Sequence, residues 1–171
     1  MKTIVPMKTV LAPVDFSPIT QRVVEEAAAL TRAISGRLVL LNVVPPPPMM
    51  ASEFAANDVA VELLQQAKRA AATKLSRLQA QLSAGGVTAH AIHVVGLPGP
   101  RIVEQAERLE ADYIVIGSHG HGSIYDLLVG STTTRVLKVA PCPIVIVPPA
   151  ETAMHVSEES ADQRRECVEI G

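Results

Sequence analysis

Apolar positions fall into two alternating kinds of run along this chain. Lys8–Val14, Arg37–Val44, Val87–Val95, Ala111–Ile116 and Pro143–Val147 are short and nearly continuous, rich in Val, Ile and Leu. Runs of that length and composition read as strands covered on both faces. Between them the apolar residues recur at intervals of three and four. Val23, Ala27, Leu30 and Ile34 form one stripe, and Leu64, Ala67, Ala71, Leu75, Leu78 and Leu82 form a longer one. Ile102, Val103, Ala106 and Leu109 make a third, and Val136, Leu137 and Ala140 a fourth. This spacing predicts helices with one buried side.

Punctuation agrees with the pattern. Pro13, Pro45–Pro48 and Pro148–Pro149 stop strands, and the run of four reads better as a stiff exit than as a docking segment. Ser17 is placed as the N-cap of the first helix, with Pro18 at its first position. Gly36 and Gly85–Gly86 end the first two helices, Gly96 to Pro100 lead into the third, and 49–57 is a loop ahead of a helix beginning near Asp58. Alternating strands and helices imply a single α/β domain, a doubly wound five-stranded parallel sheet of the Rossmann-like kind with helices on both faces. Ligands of such sheets sit at the strands' carboxyl ends, where the strand order reverses. Pro13, Val14, Asp15, Val43 and Gly117 all fall at such ends, so one crevice would collect them.

Candidate chemistry centres on Gly117, Ser118, His119 and Gly120, followed after nine residues by Gly130 and Ser131. An apolar strand precedes this segment, and Ser131, Thr132 and Thr133 open a helix after it. Glycines let the backbone come close to a ligand, and the unpaired amides of a helix start attract anions. Hydroxyls in that first turn would add donors. The segment reads as a phosphate and nucleotide site, although neither a P-loop lysine nor the dinucleotide order of glycines is present.

Composition narrows the choice further. The 171 residues suffice for one well-buried domain, and 48% are hydrophobic. Aromatic residues make up 2% with no Trp, so aliphatic side chains must build the core and base-stacking surfaces are disfavoured. A net charge of -2 gives no electrostatic footprint for nucleic acid. No apolar run approaches the ~20 residues that span a bilayer, and a cytoplasmic protein is expected. The segment 150–171 carries six acids against two arginines and reads as an acidic flexible tail. Residues 1–7 read as an N-terminal extension in which Met7 is an alternative start, leaving 8–149 as the domain.

Other chemically capable residues carry weaker patterns. Asp15 lacks an adjacent acid or histidine and is expected to bind or turn, not to catalyse. His119 and His121 lack an evident third metal ligand, and His90 and His93 point to opposite faces of their strand. No metal site of the protein's own is expected. Cys142, between two prolines, is expected to be packed and unreactive.

Taken together, Leu11 to Ser17, Leu40 to Val43, Gly96 with Pro98, the Gly117/Gly120/Gly130–Ser131 pattern and Ala140 to Pro143 resemble the universal stress protein family. They occur in that family's order and cover Lys8 to Val147. The Gly-x-x-Gly, nine residues, Gly-Ser pattern resembles the family's ATP-binding branch. The resemblance implies an adenine-nucleotide site in which Pro13, Val14 and Asp15 flank the adenosine and Val43 meets the base. Gly117 and Gly120 would approach ribose and phosphate, with His119 inside that turn, and Gly130, Ser131, Thr132 and Thr133 would hold the phosphate tail. It implies ATP with Mg2+ or another divalent cation, and a homodimer through the last strand, Ile144 to Val147. His121 departs from the pattern, standing where relatives often carry Arg or Lys.

The expectation is therefore a nucleotide-dependent regulatory module of stress response. Two alternatives stand beside it: a slow ATPase or nucleotidyl transferase on the same fold, and a nucleotide-free dimeric interaction protein.

Overall fold

A computed structural model describes residues 7–47, 58–118 and 129–149. The elements run β1 (Thr9–Pro13), α1 (Thr20–Ala33), β2 (Arg37–Val44), α2 (Asp58–Ala84), β3 (Ala89–Val95), α3 (Pro98–Arg108), β4 (Tyr113–Gly117), α4 (Ser131–Val139) and β5 (Ile144–Val147). All the strand pairings are parallel, in the order β3-β2-β1-β4-β5. This is the doubly wound α/β sheet that the alternation of runs predicts, and it is the fold of solved proteins described below.

Each face of the sheet has its own core. Val10 and Ala12 of β1 and Leu38 and Leu40 of β2 pack with Val23 and Ala27 of α1 and Leu75 and Leu82 of α2. Their neighbours Leu11, Val39 and Leu41 turn the other way, against Ile102 and Ala106 of α3 and Val136 of α4. Alternate residues thus enter opposite cores, and a strand covered twice must be apolar at nearly every position. Asn42 is the exception in β2. It is 6% exposed, and its Nδ2 donates to the Val14 carbonyl at 2.8 Å.

Element ends shift from the sequence reading by one or two residues at several strands, α3 already begins at Pro98, and three further differences have a visible cause. Ser17 does not cap α1; the cap position is Ile19, with no side-chain cap hydrogen bond. The Asp15 carboxylate takes the Ser17 amide at 3.0 Å instead, and the turn passes through Phe16 at φ 61°. Gly36 lies beyond the end of α1, because the left-handed residue there is Ser35 at φ 51°. Gly36 is needed for proximity, since a Cβ on it would lie 2.6 Å from the Lys8 carbonyl oxygen. β3 starts at Ala89, not Val87, because the Val87 amide closes the end of α2 by bonding the Leu82 carbonyl at 3.0 Å.

Residues 1–6, 48–57, 119–128 and 150–171 lie outside the described residues, and with them most of the expected extension 1–7, the expected loop 49–57 and the expected acidic tail. Among those described, no helix is long and apolar enough to cross a membrane.

Candidate functional site

The strand order puts β1 between β2 and β4, with crossovers leaving β1 and β4 on opposite faces of the sheet. Chains that diverge this way open a crevice at the strands' carboxyl ends. A cleft of about 600 Å³ lies there. Pro13, Val14 and Asp15 line it from the end of β1, Val43 from β2 and Gly117 from β4. Gly130, Ser131, Thr132 and Thr133 line it from the start of α4. Segments far apart in sequence are thus brought to one place. His119 and Gly120, and His121 beside them, lie outside the described residues.

Backbone hydrogen bonds set the shape of the crevice. The Val14 amide donates to the Leu41 carbonyl at 2.8 Å, which holds the β1 exit beside β2. The Ser118 amide donates to the Val147 carbonyl at 2.8 Å, and the Gly130 amide to the Ser118 carbonyl at 2.7 Å. The chain therefore returns against the end of β4 before α4 begins. Gly130 is the N-cap of α4, with φ -68° and ψ 160°, and no side chain caps the helix. The first helical amides lack intrahelical acceptors, and a glycine cap supplies none. That is the arrangement an anion fits, held by main-chain donors at the positive end of the helix dipole.

Two expected donors are otherwise employed. The Thr133 hydroxyl donates to the Gly117 carbonyl at 2.8 Å, so it braces the cradle and gives no proton to a ligand. The Gly130 amide is likewise committed to Ser118. Ser131 is exposed and Thr132 half-buried on the same turn. The exposed Asp15 carboxylate is shared inward: its Oδ1 accepts from the Ser17 amide at 3.0 Å and from the Thr20 hydroxyl at 3.4 Å.

The sequence matches the profile of the universal stress protein family over residues 6–148. This chain belongs to that family. A universal stress protein from Synechocystis is 30% identical over 146 residues, covering 85% of this chain and 88% of the relative. The solved universal stress protein UspA from Lactobacillus plantarum has a TM-score of 0.75 and 27% identity, covering 84% of this chain and 99% of that one. A universal stress protein from Archaeoglobus fulgidus, solved in complex with dAMP, shares the fold at TM-score 0.57 and 20% identity, covering 84% of this chain and 98% of that one.

Several walls of this universal stress protein's cleft escape a reading of motifs. Phe16, Ile19 and Thr20 line it from the β1–α1 connection, and Ala67, Ala71 and Lys74 from α2. Ala67 and Ala71 stand in the helical stripe, but spacing alone assigns them to packing. Asn42 also lines the cleft, and its signal was a lone polar residue inside an otherwise apolar strand. Among the described residues, no group of three or more His, Cys, Asp and Glu is placed to hold a metal ion. Cys142 is half-buried, and desolvation pushes its thiol pKa up from 9.0, with the charge of Asp112 adding to the shift.

Proposed function

We propose that this cleft binds an adenine nucleotide, ATP by preference, and that occupancy makes the protein a regulatory module of stress response. The observation that carries the reading is the start of α4, where a glycine-capped helix presents its first amides to the cleft beside the end of β4. The volume suits a ligand of nucleotide size, and the Pro13, Val14 and Val43 surfaces supply an apolar wall for a base. Asp15 would meet polar edges of the adenosine while keeping its own loop folded. His119 and Gly120 belong to the proposal through the motif. A divalent cation would be carried in on the phosphate oxygens.

Binding is favoured over turnover by the state of Asp15, the one carboxylate among the described residues that line the cleft. Its Oδ1 already serves two donors within the loop, which suits a positioning group better than a general base. Universal stress proteins are regulatory in general, in keeping with this choice. We propose in addition that two copies pair along β5, the edge of the sheet, where Val145 and Ile146 are 39% and 36% exposed.

Mass spectrometry of the freshly purified and then denatured protein tests the nucleotide reading. ATP recovered from the native protein and lost from Gly130→Asp supports it. Equal retention by the variant would reject the phosphate assignment, and stoichiometric ADP with phosphate release on added ATP would favour an enzyme.

A further inference from the structure

The side of the cleft formed by α2 consists largely of methyl groups. Ala67, Ala70, Ala71 and Lys74 all line it, and the three alanines end at Cβ. Lys74 alone of that set carries a long side chain with a charge at its end. It is exposed, and its Nζ stands 4.9 Å above the centre of the Phe16 ring. That distance is within the range of a cation–π contact. Phe16 is held at φ 61°, an uncommon conformation for a bulky residue, by a loop whose Ser17 amide and Thr20 hydroxyl both bond the Asp15 carboxylate. The strained turn therefore keeps an aromatic seat beneath the ammonium.

Charge gives this placement its meaning. Among the described residues lining the cleft, Asp15 and Lys74 are the sole ionisable side chains. They balance each other. Without Lys74 the described side chains would leave a net negative lining, the wrong sign for a polyphosphate. The helix start contributes roughly half a positive charge, too little to offset Asp15 alone.

We propose that Lys74 is the residue that reads the charge of the ligand, so that the cleft grades nucleotides by their number of phosphates. The ammonium leaves its seat on Phe16 to meet the anion, and returns to it when the cleft empties. This assignment rests on the nucleotide reading above and adds a specificity determinant to it.

The test is a calorimetric titration of ATP, ADP, AMP and adenosine into the full chain and into Lys74→Met and Lys74→Arg, with divalent cation held constant. Lys74→Met keeps the stem and removes the charge. It should weaken ATP about tenfold and ADP less, leave adenosine unchanged, and lose its effect as salt rises. Lys74→Arg should restore most of the grading, and the melting temperature should stay where it was. A uniform loss across the four ligands would overturn the proposal in favour of a packing role, and so would an unchanged series in Lys74→Met. If the unmodified chain binds none of the four, the nucleotide reading fails and this assignment with it. If it binds all four and Lys74→Met keeps the grading, the Lys74 assignment alone fails.

Discussion

Thr133 fastens the first turn of α4 to the last residue of β4 by giving its hydroxyl proton to the Gly117 carbonyl at 2.8 Å. The threonine is 4% exposed, so water cannot readily replace it as a donor. Thr133→Val should cost about 1–3 kcal/mol in denaturant unfolding, the range for leaving a buried acceptor unpaired. Thr133→Ser, which keeps the hydroxyl, should recover most of that stability and of nucleotide binding. If the valine variant is as stable as the parent, the bond is not bracing the cradle.

Gly130→Asp separates binding from folding. A carboxylate at an N-cap accepts from the first-turn amides and suits the helix dipole. The variant should therefore unfold within a few tenths of a kcal/mol of the parent, or slightly later, while losing anion binding. A large drop in melting temperature would show that Gly130 is needed for its backbone path and not for an open cradle.

Acid stability should depend on the far end of the sheet. The Lys8 ammonium donates to Asp112, whose other oxygen accepts the Thr9 amide at 2.8 Å. The Lys8 hydrogen bond first, and the Thr9 amide second, hold the Asp112 pKa below its ordinary 3.8. A carboxyl depressed by folding stabilises the fold above its unfolded pKa and loses that contribution as pH falls through the folded value. The parent should thus lose stability as pH drops below about 4, and Asp112→Asn should show a shallower acid limb. Lys8 is raised above 10.5 by the same contact, so its share is present below that value and is lost at higher alkaline pH. Parallel acid limbs in the two proteins would contradict this account.

An edge strand with exposed Val145 and Ile146 predicts self-association. Ile146→Arg should shift the protein from dimer to monomer in light scattering without lowering its melting temperature appreciably. A parent that is already monomeric would remove β5 as an interface.

Strands and helices were legible because two-sided burial forces nearly continuous apolar runs such as Leu38 to Leu41 of β2, and one-sided burial forces the Leu75 and Leu82 stripe of α2. The crevice was legible because strand ends are marked by Pro13 and Gly117. The spacing misplaces Ser17 as a cap because the Thr20 amide, which a serine cap at this position would accept with its hydroxyl, bonds the Ser17 carbonyl at 3.0 Å, while Asp15 holds the Ser17 amide. The Ser17 hydroxyl ends up buried, with no hydrogen-bond partner among the described residues. The bond of the Thr133 hydroxyl to Gly117 is not legible in the sequence, because a hydroxyl's orientation depends on the neighbouring strand, which spacing along one helix does not encode. Lys74 and Phe16 meet across 58 positions, a contact that no local pattern carries.

The alanines of α2 have a consequence for how this site changes over time. Because the wall ends at β-carbons along Ala67, Ala70 and Ala71, the aperture there is fixed by the main-chain path of the helix and not by side-chain rotation. Single replacements at Ala67 or Ala70, both exposed, would narrow the mouth stepwise without disturbing either core. Ligand size can thus drift under selection while the sheet beneath stays as it is.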